Sequence, residues 1–208
     1  MNRTDRGERM KKDFFNDSKV KFPAYQPWIS KGDKRIVNKT LEQSMLTLGP
    51  QLEKFEIDFC KYTKSKYAVA VSNGTAALHL SLKALGIKKC DEVIIPDLTF
   101  VADASAILAS NAKPVIVDIN RNNFFLSISN LKKNITKRTK AIIPVHIYGQ
   151  VCNIDEVLDV AHENDLKIIE DCAHAVGTFH NSKHVGTLGD TGCFSFYPTK
   201  NITTAEGG

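Results

Sequence analysis

From Tyr67 onward, short apolar runs alternate with longer stretches of helical character, and this rhythm constrains the fold more than any other feature. The runs are Tyr67–Val71, Glu92–Ile95, Pro114–Val117, Ala141–Val145, Lys167–Ile169 and Cys193–Tyr197. Between them lie Thr75–Leu85, Val101–Ala109, Ser127–Asn134 and Ile154–Glu163. The runs are apolar throughout rather than alternating, the mark of strands buried on both faces. The intervening stretches are long enough for right-handed crossovers. The expected fold is therefore α/β: a mainly parallel sheet between helical layers. Before Tyr67, the apolar residues of Lys31–Leu46 and those after Gly49-Pro50 (Leu52, Phe55, Phe59, Cys60) fall at helical spacing, with Pro50 suited to a helix start.

Charge and cysteine content narrow the function classes. Of the net charge of +5, residues Met1–Lys21 hold +3, from 7 basic and 4 acidic side chains. That polar leader is expected to be mobile, and residues 22–208 are expected to form one domain, with the remaining charge of +2. The remainder is nearly balanced, so a nucleic-acid-binding role is not expected. The five cysteines are scattered, with no C-x-x-C, which reads as a reduced, cytoplasmic chain. No apolar run approaches the ~18 residues of a membrane span, and no membrane partner is expected.

Parallel sheets bind ligands beyond the carboxyl ends of their strands. Several candidate residues collect there. Gly74-Thr75-Ala76 opens a helix, where unpaired amides suit a phosphate, or where a Thr-capped turn suffices. Phe100 follows a strand and offers either a stacking face or core filling. Asp171 ends an apolar strand, suited to pairing with a cationic ring nitrogen or to capping the next turn. His174, three residues on, is either a donor to a ligand oxygen or a satisfied loop histidine. Lys200 is a candidate Schiff-base amine if burial lowers its pKa, and otherwise a solvated surface group. Ser195 adds a hydroxyl suited to phosphate. No G-x-G-x-x-G and no P-loop is present. Phosphate site, aromatic plate, acid and amine together match pyridoxal phosphate. A metal site from His174, His180 and His184 is a remote alternative, since their spacing fits no strong ligand pattern.

The ordered set Ser72-Asn73-Gly74-Thr75-Ala76, Asp91–Pro96, Thr99–Ala102, Lys113–Asp118, Pro144–Gly149, Ile169–Ala175, Gly189–Phe196 and Lys200–Gly208 resembles the DegT/DnrJ/StrS-type sugar-nucleotide aminotransferases of fold-type-I pyridoxal-phosphate enzymes. The resemblance covers Gly49 to the end. It implies a three-layer α/β/α large domain, with residues 22–208 an incomplete version of it and the C-terminal small domain absent. It implies that Lys200 carries the Schiff base and shuttles the proton. Asp171 would hold the pyridine nitrogen protonated, Phe100 would stack on the ring, and His174 would lie near the phenolic oxygen. The phosphate would be held by Gly74, the Thr75 and Ala76 backbone, the Thr75 hydroxyl and Ser195.

The implied reaction moves an amino group from glutamate to a keto group of a nucleotide-linked sugar, in a homodimer. A dehydratase branch replaces this lysine with histidine, and Lys200 argues against it. Alternatives are a cyclitol or aromatic precursor as acceptor, or a noncatalytic module or fragment with the same fold. In the family another strand follows the lysine loop, antiparallel beside the first. Its absence would expose an edge at Tyr67–Val71 and leave the chain poorly active alone.

Overall fold

The computed structural model describes residues 26–208, and the expected leader over residues 1–21 lies outside the described residues. Helix α1 (Lys31–Leu41) starts at a capping box. The Ser30 hydroxyl accepts from the Asp33 amide, and the Asp33 carboxylate accepts from the Ser30 amide. It stops five residues short of the apolar pattern that ran to Leu46, and its apolar residues Ile36, Val37 and Leu41 are exposed. Helix α2 (Pro50–Thr63) begins at Pro50 as the sequence predicts.

Next come α3 (Gly74–Ala84), β1 (Glu92–Pro96), α4 (Ala102–Ala109), β2 (Lys113–Val117), α5 (Ile128–Asn134) and β3 (Thr139–Ile142). They are followed by α6 (Ile154–Glu163), β4 (Lys167–Asp171), the hairpin strands β5 (Phe179–His180) and β6 (Lys183–His184), and β7 (Thr191–Cys193). Five strands form one sheet in the order β2-β1-β3-β4-β7, and every neighbouring pair is parallel.

Strand alternation divides the core into two layers. On one face Val93, Ile95, Ala141, Ile143 and Ile169 pack against Leu78 and Leu82 of α3 and Ala106 and Ile107 of α4. On the other, Ile94, Ile142 and Ile168 pack against Leu131 of α5 and Val157 and Val160 of α6. The expected three-layer α/β/α arrangement is therefore present. A third cluster joins Phe194 and Phe196 beyond β7 to Phe55 and Phe59 of α2, through edge-to-face rings 5.0–5.8 Å apart. At the amino ends of the strands the buried Glu92 carboxylate takes hydrogen bonds from Thr136 (2.6 Å), Arg138 (2.7 Å) and Lys113 (3.2 Å), tying β1 to β2 and to the approach to β3.

Two expectations need correction. The reading of every run as covered on both faces fails at β2, which lies at the sheet edge and leaves Ile116 59% exposed. The predicted first strand, Tyr67–Val71, joins no ladder. The exception is Val71, which exchanges both backbone hydrogen bonds with Gly208 (2.9 and 3.0 Å), the reciprocal pattern of an antiparallel pair. Tyr67 and Val69 are otherwise exposed beside a groove lined by Phe55, Phe59, Val71, Phe196 and Gly208.

Candidate active site at the carboxyl ends of the strands

The open end of α3 is built by its cap. Asn73 Oδ1 accepts from the Ala76 amide (2.8 Å), so asparagine, not threonine, caps the helix. The Ala76 N–H, expected to face a phosphate, is thereby taken. The Gly74 and Thr75 amides have no partner among the described residues, which leaves two donors at the positive end of the helix dipole. Ser195 is brought here from the other end of the chain. A Cβ added to Gly74 would stand 3.0 Å from Ser195 Cβ and 3.2 Å from the Phe194 carbonyl oxygen. At Gly208 it would stand 2.4 Å from the Asn73 carbonyl carbon. Glycine at both positions lets three backbone segments meet at this helix start.

Phe100 lies in the loop after β1 and is 68% exposed, so it fills no core and presents its ring at the strand ends. Asp171, the last residue of β4, is buried, and its Oδ1 accepts from the Ala173 amide (2.8 Å). It does cap the following turn. Burial pushes its carboxyl pKa up, opposed by the Ala173 hydrogen bond and by the charges of Lys200 and His146. Lys200, in the turn after Tyr197, is partly buried. That burial lowers its amine pKa, against the pull of the Asp171 charge. A lysine depressed by desolvation within reach of a carboxylate's charge is the arrangement an amine nucleophile needs.

His174 is half-buried, and burial first, then the Lys200 charge, lower its pKa. Its Nδ1 accepts from the Tyr148 amide (3.4 Å), which assigns the proton of the neutral ring to Nε2. The Tyr148 ring stacks on it at 5.6 Å between centroids and 10° between planes. Tyr148 is itself exposed and sits at φ +53°, in the left-handed region.

The three histidines of the metal alternative are engaged separately. His174 pairs with Tyr148, His180 with Asp155 (2.8 Å), and His184 accepts from Gly177 while facing the Val185 carbonyl. His146, Glu170 and Cys172 do cluster, but their ligand capacity is spent. His146 Nδ1 accepts from Cys152, and Nε2 donates to Glu170 Oε2 at 3.0 Å. Glu170 further accepts from the amides of Gly186, Leu188 and Gly189 (2.7–2.8 Å). Burial also pushes the Cys172 thiol well up, the opposite of a thiolate ligand.

Sequence reasoning missed Tyr148, the His146–Glu170 pair and Asp103. Asp103 lies in the first turn of α4, fully buried, with Oδ2 accepting from the Thr99 hydroxyl. The available signal was a lone carboxylate in an apolar helix.

Together these groups offer two free amides with hydroxyls, an open aromatic face, a buried acid and a half-buried amine at one sheet edge. That set fits the phosphate, ring, ring nitrogen and aldehyde of the cofactor implied by the sequence. Among the described residues no helix is long and apolar enough to cross a membrane.

Residues 27–208 match the family described as DegT/DnrJ/EryC1/StrS aminotransferases. The chain is 43% identical over 187 residues to a GDP-perosamine synthase of Escherichia coli O157:H7, covering 89% of this chain and 51% of that protein. It superposes on the PLP-form of a proposed sugar aminotransferase from Streptococcus pneumoniae with a TM-score of 0.87 at 34% identity, over 89% of this chain and 51% of that one. PseC of Helicobacter pylori, an aminotransferase involved in pseudoaminic acid biosynthesis, gives 0.85 at 31% identity, over 89% and 50%. The chain spans about half the length of the curated relatives it matches.

Proposed function

The chain belongs to the DegT/DnrJ/EryC1/StrS aminotransferase family, and from that premise we propose that the protein is a pyridoxal-phosphate-dependent aminotransferase. It moves an amino group from glutamate to a keto group of a nucleotide-linked sugar, in amino-sugar or polysaccharide biosynthesis. The observation that carries this reading is that partly buried Lys200, depressed by desolvation, and buried Asp171 stand near enough for each to feel the other's charge. They lie at the strand ends where the start of α3 leaves two amides free.

When bound, pyridoxal phosphate supplies an aldehyde for the amine and a ring that draws electrons from the carbon losing its proton. The Gly74 and Thr75 amides, with the Thr75 and Ser195 hydroxyls, hold the phosphate at the helix start. Ala76 contributes through the cap, which fixes that turn. Phe100 covers one face of the ring. Asp171 keeps the ring nitrogen protonated, and the charge interaction that favours its anion strengthens when a cation sits beside it.

Lys200 must shed a proton to act as nucleophile, and its burial lowers the free energy of doing so. The freed amine then takes and returns the proton at the reacting carbon as general base and acid. Neutral His174 presents Nε2–H, a donor suited to the ring's phenolic oxygen. Residues 22–208 form the cofactor-binding part of the enzyme. The exposed apolar residues of α1 supply a surface for a second copy in a homodimer. The free, scattered cysteines suit the cytoplasm.

The test is to incubate the full-length protein with glutamate and a panel of nucleotide-linked keto sugars and identify the amino sugar formed. Lys200→Ala is expected to lose the visible absorbance of bound cofactor and at least about 10³-fold in rate. Unchanged turnover in that variant would falsify the assignment.

A further inference from the structure

Tyr148 is exposed, yet its backbone and its ring both engage His174. Its amide donates to His174 Nδ1 (3.4 Å), and the two rings lie nearly parallel, 10° between planes and 5.6 Å between centroids. The chain itself passes as close. A Cβ added to the next residue, Gly149, would stand 3.4 Å from the His174 carbonyl oxygen.

The segment that carries Tyr148 is anchored on both sides. Before it, Val145 bridges in parallel to Asp171, and the His146 amide donates to the Asp171 carbonyl (3.0 Å). The buried His146 ring accepts from the Cys152 amide (3.2 Å) and donates to Glu170 (3.0 Å). Between these anchors the Gln150 amide donates to the Ile147 carbonyl (3.1 Å). The Thr178 hydroxyl, from the loop that follows His174, donates to the Gly149 carbonyl (3.0 Å). Tyr148 is thereby held at φ +53° and ψ +29°, where bulky side chains are uncommon. A backbone outlier over-determined by its surroundings directs attention to function.

The two contacts act differently on the imidazole. A neutral ring has one donor and one acceptor, and an amide aimed at Nδ1 reserves that nitrogen as the acceptor. A single long hydrogen bond leaves the ring tilt loosely set, because the χ2 torsion of histidine is broad. The parallel tyrosine ring restricts that tilt, since the stack is lost when one ring swings.

We propose that Tyr148 is the positioning residue of His174: its amide fixes which ring nitrogen keeps the proton, and its ring fixes the plane in which that proton points. This rests on the reading of His174 as the donor to the phenolic oxygen. An imidazole that tilts carries Nε2–H out of line with a fixed acceptor, and hydrogen bonds weaken steeply with angle. The Tyr148 hydroxyl has no part in the task, so a phenyl ring serves equally well.

Proton and nitrogen resonances of the cofactor-free, full-length protein at about pH 8 test the geometry directly. At that pH, with its pKa lowered by burial and by the Lys200 charge, the His174 ring is neutral. The parent should show Nδ1 without a proton and His174 ring protons shifted upfield by the tyrosine ring. Tyr148→Phe should keep that shift, and Tyr148→Ala should lose it. A proton on Nδ1, or the same shift in Tyr148→Ala, overturns the proposal.

Kinetics of the loaded enzyme supply a second arm. Tyr148→Ala should lose about 3- to 12-fold in kcat, with pyridoxal phosphate affinity within about twofold, and Tyr148→Phe should restore the rate. In a His174→Ala background the further change Tyr148→Ala should have almost no effect on kcat, because nothing remains to be positioned. The full loss in that background, or a Tyr148→Phe variant as slow as Tyr148→Ala, overturns the proposal. A His174→Ala variant at the parent's rate would sink the reading of His174 itself, while the resonances still decide whether Tyr148 fixes its ring.

Discussion

Glu170 and Asp171 are consecutive residues of β4, both buried, yet the pleat turns them to opposite faces and into opposite electrostatic states. Burial disfavours the charge of each. Around Glu170 that penalty is outweighed by His146 and by the amides of the loop after β6, which hold the carboxyl below its usual range. Asp171 has one backbone amide and more distant charges, and its pKa stays raised. A carboxylate surrounded by donors is finished chemistry: it fastens a loop to the sheet. A carboxylate left short of donors still has a partner to find, and it stands where a ligand would supply one. The same residue type is structural or functional according to how completely the protein satisfies it.

The comparison can be broken at either end. Glu170→Ala should be the most damaging change, stranding three amides and the His146 N–H, with an expected loss of about 3–5 kcal/mol in denaturant unfolding. Stability unchanged by that substitution would mean that the loop does not depend on the carboxylate. Asp171→Asn should do the reverse. Folding is retained within about 1 kcal/mol, since the amide oxygen still accepts from Ala173, while amino transfer falls about 10²-fold. A large stability loss with intact activity would assign Asp171 to structure.

The pH dependence of the cofactor-free protein sharpens the contrast. Asp103 has a folded pKa raised to about 8, so it binds a proton in the folded chain that the unfolded chain has released. Its contribution is present at acid pH and declines as pH rises from about 4 to 8, at up to about 1.4 kcal/mol per unit. Glu170 is depressed, so its contribution is present above the unfolded value and lost as pH falls through the folded one. Thermal unfolding of the parent and Asp103→Asn across that range should differ by this slope, and parallel curves would remove the Asp103 term. Phe100→Leu should have the smallest effect. Its exposed ring has little to lose in packing, and cofactor affinity should fall about 2- to 12-fold, read by dialysis.

Much of this was legible in the residues, for identifiable reasons. Helix α6 falls on Ile154–Glu163 as expected because its apolar face and acidic first turn are both local signals. Strand β1 is readable because both faces are covered and every position after Glu92 is apolar. Tyr67–Val71 carries the same apolar signal without the ladder, since pairing belongs to the partner strand rather than to the run itself. The positions of Lys200, Asp171, His174, Ser195 and Gly74 followed from the rule that sites collect at strand ends. Asp103 did not, because it sits inside a helix rather than after a strand. Glu170 and Asp171 read alike as letters, and only the donors from distant loops separate them. The engagement of the Ala76 amide was not foreseen for a local reason, the Asn73 side chain accepting from it.

The junction of Val71, Asn73 and Gly74 with Ser195 and Gly208 also orders events in time. The start of α3 can form early from its own capping residue. Its neighbours Ser195 and Gly208 leave the ribosome only after the five strands of the sheet have been made, and a pairing between such distant segments closes slowly. A nascent chain therefore carries an assembled sheet before it carries a finished anion cradle, and pyridoxal phosphate added during synthesis should be captured only once the residues up to Gly208 have emerged.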